Sequence, residues 1–248
     1  MRGRLAIWDF DGTLAWREGL WSGCVLEVLD EHEPGHGATR EALRACLSGG
    51  FPWHRHERAH PELAEADAWW RALEPLIAGA IGSVGIGERR ARELCPAVRE
   101  RFVDGSRVWR LFDDTHAALE TTAAAGWRNV ILSNHVPELA ALVTALGIDE
   151  LVEEVFSSAV TGFEKPHPEA FRLVLRRCGG EPTRSWMMGD NPRADVAGAE
   201  ALGIPAVLVR GPGEAARRAP DAAAAARLIL SSAGRSPRGR RDRDRGTR

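Results

Sequence analysis

The sequence predicts an α/β fold: a parallel sheet with helices packed on it, interrupted near its start by an all-helical insertion. Three observations carry this. Leu5-Ala6-Ile7-Trp8 is an apolar run of strand length that ends in Asp9 and Asp11, after which Gly12-Thr13 turns the chain away. From Trp109 onward, short apolar runs alternate with helical segments of about 10–15 residues, the pattern of βαβ units. Between about Trp16 and Arg107 the apolar residues recur only with helical period. The first strand (residues 1–15) therefore belongs with residues 108–230, and residues 16–107 form the insertion.

Within the insertion, Leu20, Trp21, Cys24, Val25, Val28 and Leu29 mark a first helix that Pro34-Gly35 ends. Thr39 is placed to cap a second, which Gly49-Gly50 stops. Ala66 to Ile77 gives a third, and Glu88 to Val103 a fourth in which Pro96 is expected to force a turn or kink. Such a set makes a small bundle with its own core. In the second part, helices are expected over 113–125, 137–146, 168–178 and 192–202, with strands at 129–132, 155–156, 186–188 and 206–209. A last helix spans about 222–230, and residues 231–248, without apolar anchors, form a disordered Arg-rich tail.

The 248 residues carry a formal net charge of −2, unevenly spread. Seven arginines face two aspartates between Arg235 and Arg248, so the body is acidic and the tail basic, which argues against a nucleic-acid surface on the fold. The four scattered cysteines, with no Cys-x-x-Cys pair, read as reduced, buried thiols of a cytoplasmic protein. Met1 to Arg4 leads straight into a strand without a signal-peptide region, and no run approaches the roughly 18 apolar residues that span a bilayer.

In a parallel sheet, ligand groups lie beyond the carboxyl ends of the strands. Here each strand ends in polar residues: Asp9 and Asp11; Ser133-Asn134-His135; Glu164-Lys165 after the third; Gly189-Asp190, with Asp195 five residues on. Lys165 is the only lysine among 33 basic residues. This arrangement resembles the haloacid dehalogenase superfamily, in the subgroup with a helical cap inserted after the first strand. The four motifs stand as Asp9-Phe10-Asp11-Gly12-Thr13, Ser133, Lys165 and Gly189-Asp190 with Asp195. The resemblance covers about residues 5–210 and implies a Rossmann-like core of strand order 3-2-1-4-5, a mobile cap, and a Mg²⁺-dependent phosphatase of a small phosphorylated metabolite.

It also implies roles that the chemistry fits. Asp9 acts as nucleophile, forming an aspartyl-phosphate, and Asp11 as general acid and base. Mg²⁺ takes carboxylates of Asp9 and Asp190 and the backbone carbonyl of Asp11, with Asp195 orienting that shell. Ser133, Lys165 and the backbone N–H groups of Phe10, Asp11 and Asn134 hold the phosphoryl oxygens.

The same residues prune the alternatives. Phosphonate-cleaving relatives use a cap lysine, and this cap has none; dehalogenating relatives lack the second aspartate, and Asp11 is present. A phosphomutase of a sugar phosphate uses the same motifs and stays open, as does a non-catalytic binding protein, which four intact motifs argue against. In the cap, the loop Phe51–His56 offers His54 and Arg55 as readers of substrate or is a plain loop packed by Trp53. His54, His56 and His60 lack the fourth ligand a zinc site needs. Trp69-Trp70 reads as cap core or cap–core interface, and His135 as a structural histidine beside the site.

Overall fold

A computed structural model describes residues 3–233. The chain runs β1 (Arg4–Trp8), β2 (Ala15–Arg17), α1 (Leu20–His32), α2 (Arg40–Cys46), α3 (Ala66–Gly82), α4 (Glu88–Val103), a single turn α5 (Gly105–Val108) and β3 (Trp109–Leu111). It continues through α6 (Thr115–Ala124), β4 (Trp127–Ser133), α7 (Leu139–Ala145), β5 (Glu154–Ser157), the turn α8 (Ser158–Thr161), α9 (Pro168–Cys178) and β6 (Ser185–Gly189). A π-helical turn (Pro192–Ala197), α10 (Gly198–Glu200), β7 (Ala206–Val209), β8 (Arg218–Ala219) and α11 (Ala222–Ala233) complete it.

The six strands β5-β4-β1-β6-β7-β8 form one sheet, parallel throughout. Its first five are the expected 3-2-1-4-5 order, and the two-residue β8 adds a sixth. β1 lies at the centre, paired to β4 and β6, and its alternate residues feed the two faces. Leu5 and Ile7 pack with Val130, Leu132, Phe171 and Val174 on one side. Ala6 and Trp8 pack on the other, with Leu119, Ile131 and the larger core that continues into the cap helices.

Between β1 and β4 stand α1 to α4, with α4 packed on both α1 and α3. Thr39 caps α2, its side chain accepting from the Ala42 N–H at 3.2 Å. Four expectations need correction. α4 runs unbroken through Pro96, because its buried face continues on both sides of the proline (Ala91 and Leu94 before, Val98 and Phe102 after) and packing holds the turn. The chain leaves and re-enters the helical block as a short antiparallel ribbon, β2 with β3, whose three-residue strands are too brief to show alternation in sequence. Residues 192–202 form the π-helical turn and one α-turn instead of a plain helix. Ser231 and Ser232 extend α11, each hydroxyl donating to the Leu228 carbonyl, so the tail begins no earlier than residue 234, outside the described residues.

The cysteines are all free, but Cys46 is exposed where a buried thiol was expected. Among the described residues no helix is long and apolar enough to cross a membrane.

Candidate active site

The reversal of strand order falls on either side of β1, and its carboxyl end carries the site. The Asp9 N–H donates to the Met188 carbonyl at 2.8 Å, extending the pairing with β6 by one residue and fixing Asp9 at the sheet edge. The Phe10 carbonyl then accepts from both Leu14 and Ala15 at 2.9 Å, closing a tight loop around Asp11 and Gly12. Gly12 has φ +76°, and a Cβ there would lie 2.4 Å from Asp190 Oδ2. A Cβ on Gly189 would lie 2.2 Å from Asp195 Oδ2. Both glycines are therefore required for the carboxylates to approach so closely.

Asn191 opens the π-helical turn, its side chain accepting from Arg193 and Ala194 N–H at 3.0 and 2.9 Å. The widened turn brings Asp195 back beneath Gly189, where Oδ2 accepts from the Asn191 N–H at 2.9 Å. Its other oxygen meets Lys165 Nζ at 2.6 Å, and the same ammonium lies 2.8 Å from Asp9 Oδ1. Lys165 is 2 % exposed. Burial opposes its charge, but Asp195 and Asp9 more than offset this and hold the ammonium above the ordinary lysine value. Asn134 positions that lysine: Nδ2 donates to the Lys165 carbonyl at 2.8 Å and Oδ1 accepts from its N–H at 2.7 Å.

Four carboxylates share this region with a single ammonium. Burial, then the neighbouring Asp9, pushes Asp11 up to about 7. Burial, then Asp9, Asp195 and Asp11, pushes Asp190 up to about 8, and burial with Asp9 pushes Asp195 up to about 6. Oxygens of Asp9, Asp190 and Asp195 all lie within 4.8 Å of one another. Crowded, hard oxygen donors of like charge fit a small divalent cation, which would relieve the repulsion that raises them. Asp195 stands in this cluster where the sequence reading used it only to orient the others; both its oxygens already have protein partners. The Asp190 carboxylate accepts no hydrogen bond among the described residues.

These groups floor a cavity of about 400 Å³ lined by Asp9, Asp11, Ser133, Lys165, Asp190 and Asp195. The Asp11 and Asn134 backbone N–H groups donate to no protein acceptor among the described residues. Phe10 is a correction: its N–H donates to Asp9 Oδ1 at 2.8 Å, and its ring is buried against Trp109 and His135. His54 lines the cavity; Arg55, exposed on the same turn, does not. His135 borders it with a ring caged by Phe10, Phe102 and Trp109, and neither ring nitrogen has a partner among the described residues. Burial pushes that imidazole down to about 3.

The cap wall is what sequence reasoning missed. Leu20, Trp21, Leu47 and Phe102 line the cavity, although apolar residues at helical spacing read only as bundle core. Trp70 bridges cap to core, its indole N–H donating to Glu138, which also accepts from Arg99, whereas Trp69 is buried in the core that the cap helices share.

A family model for haloacid dehalogenase-like hydrolases matches residues 4–203. The chain belongs to this family. It is 33% identical to a phosphoserine phosphatase of Thermus thermophilus over 159 residues, which cover 63% of the chain and 61% of that relative's length. Among solved structures, it superposes on a HAD-hydrolase of Bacillus subtilis bound to magnesium with a TM-score of 0.70 at 15% identity, covering 93% of this chain and 99% of that one. It also matches a 2-haloacid dehalogenase of Pseudomonas syringae with a TM-score of 0.65 at 21% identity, covering 92% and 99%. Proteins similar to this chain thus include a phosphatase and a dehalogenase, and the site residues must decide between the two reactions.

Proposed function

We propose that this hydrolase cleaves small phosphate monoesters, with Asp9 as nucleophile and residues 16–107 as a cap over the core formed by 1–15 and 108–230. The observation that carries the reading is Asp11, two residues beyond Asp9 on the same cavity, with a carboxyl held near neutrality. Carbon–halogen cleavage releases a halide that needs no proton, whereas an alkoxide leaving group does. A carboxyl at about 7 is about half protonated at neutral pH, against almost none for an ordinary aspartate, and can supply it. The phosphoserine phosphatase relative points the same way.

Asp9 is held for attack by Lys165 and by the Phe10 N–H, both on Oδ1, which leaves Oδ2 to approach phosphorus. In the first step the Asp9–phosphorus bond forms as the ester oxygen departs and takes the Asp11 proton. In the second, Asp11, now ionised, draws a proton from water as that water displaces Asp9 and releases inorganic phosphate. Ser133 and the Asp11 and Asn134 N–H groups would hold the phosphoryl oxygens.

Asp9 and Asp190, with the Asp11 carbonyl, would hold Mg²⁺, and Asp195 would brace them through Lys165 and Asn191. Bound there, the ion supplies positive charge against the phosphate that one ammonium among four carboxylates cannot. The free cysteines agree with a cytoplasmic protein. The test is turnover of a generic aryl phosphate with Mg²⁺: Asp9→Asn is expected to abolish it and Asp11→Asn to reduce it by about 10²–10⁴-fold. Full activity in Asp9→Asn overturns the nucleophile, and chloride release from a 2-haloacid overturns the reaction class.

A further inference from the structure

The floor and the wall of the cavity differ sharply in chemistry. Segment 16–107 lines the same cavity with Leu20, Trp21, Leu47, Phe51, Trp53 and Phe102. Four of these are rings in one continuous run. Phe102 stacks on Trp21 with centroids 4.0 Å apart and planes 15° apart, Trp21 meets Phe51 at 4.8 Å, and Phe51 stacks on Trp53 at 4.6 Å and 6°. Phe51 and Phe102 are buried behind, whereas Trp21 and Trp53 are only partly buried and form the wall's surface.

Charge on this wall is missing altogether. Among the described residues that line the cavity, Lys165 is the only cation, and Asp9 and Asp195 already engage it. Apart from the indole N–H groups of Trp21 and Trp53, His54 is the one polar side chain on the cap side among the described residues that line the cavity. Its Nδ1 accepts from the Phe51 N–H at 3.2 Å, which places the proton of the neutral ring on Nε2 and makes that nitrogen a neutral donor. Burial lowers its affinity for a second proton. Arg55, the cationic reader considered from the sequence, stands outside the cavity.

Resting on the phosphatase reading above, we infer that the alcohol portion of the substrate is neutral and ring-bearing, stacking on Trp53 and Trp21, and that esters with a second anionic group are excluded. A phosphoryl group on the carboxylate floor leaves the remainder of the substrate against the aromatic wall. A ring there gains dispersion and apolar burial. A carboxylate or second phosphate there would lose its water without gaining a cation, a cost that the neutral Nε2–H of His54 offsets only in part.

The experiment compares two benzyl esters, which share a benzylic leaving group, and one ringless phosphoryl donor on the full chain with Mg²⁺. Benzyl phosphate and 4-carboxybenzyl phosphate differ by one remote carboxylate; acetyl phosphate, an acyl phosphate, lacks a ring and reports phosphoryl transfer to Asp9 without a ring against the wall. The expected kcat/KM for benzyl phosphate exceeds that for the carboxylated ester on the order of a hundredfold. Trp53→Ala is expected to lower kcat/KM for benzyl phosphate about tenfold more than for acetyl phosphate, and Trp53→Phe to restore most of that difference. Thermal melts of both variants report folding, and the ratio between two substrates on one preparation is independent of the folded fraction. Equal rates on the two benzyl esters, or a Trp53→Ala loss of the same size on acetyl phosphate, overturns the substrate class while leaving the phosphatase intact. Release of phosphate from none of the three overturns the phosphatase reading and the substrate class with it.

Discussion

Replacing Asp190 by asparagine is expected to stabilise the metal-free protein, although the residue stands at the heart of the site. Asp190 is held up to about 8 by burial and by Asp9, Asp195 and Asp11, against 3.8 in an ordinary carboxyl. The folded state therefore binds more protons than the unfolded chain between these values, so the carboxyl's contribution to stability is lost as pH rises from about 4 to 8. At pH 7 that window spans about three units at roughly 1.4 kcal/mol each, which partial exposure to the cavity reduces to roughly 2–3 kcal/mol. Asparagine mimics the protonated acid at every pH, and it breaks no hydrogen bond to the described residues. For a chain of this length the gain corresponds to a melting temperature higher by roughly 4–12 °C. The assay is thermal or urea unfolding in a chelator at pH 7 and again near pH 4, where the gain should vanish. Added Mg²⁺ should then raise the melting temperature of the wild type and leave the variant almost unmoved. A variant that melts no higher than wild type at pH 7, or whose advantage persists unchanged at pH 4, would refute the reasoning.

The remaining predictions concern single contacts. Lys165→Met leaves Asp9 and Asp195 without their ammonium in a buried site and should cost about 3–5 kcal/mol in denaturant unfolding at pH 7. His135, neutral in the fold and pushed down to about 3, takes a proton only when the chain unfolds as pH falls below about 6.5. His135→Phe should therefore gain about 1.4 kcal/mol over wild type for each pH unit between 6 and 4, measured by unfolding at several pH values. Gly12→Ala combines a φ of +76° with a Cβ 2.4 Å from Asp190 Oδ2, and should cost at least about 1 kcal/mol together with most of the Mg²⁺-induced rise in melting temperature.

Much of the core was legible because its signals are local. The apolar run into Asp9 and Asp11 marks the central strand, and Pro168 with Gly179 bounds α9 so sharply that its expected and observed spans coincide. Strands too short to alternate were not legible: β2, β3 and β8 exist through pairing with distant neighbours, which no window of sequence displays. The π-helical turn depends on Asn191 capping it and on Asp195 folding back, contacts that look like an ordinary helix start in sequence. For the site, residue types and order sufficed to gather Asp9, Asp11, Ser133, Lys165 and Asp190 at one sheet edge. They did not reveal that Asn134 clamps the Lys165 backbone, or that Phe10 gives its N–H to Asp9. The aromatic wall was hidden for a different reason: Trp21 and Phe102 occupy helical positions where burial in a bundle and exposure to a ligand cavity demand the same residues.

The central claim is that a phosphoryl group passes through the Asp9 carboxylate. Mixing the protein with Mg²⁺ and acetyl phosphate, quenching in acid within one turnover and mapping peptides by mass spectrometry tests it directly. One phosphoryl group on the peptide that contains Asp9, absent from Asp9→Asn, is the expected result; phosphate released at full rate with that peptide never modified would contradict it.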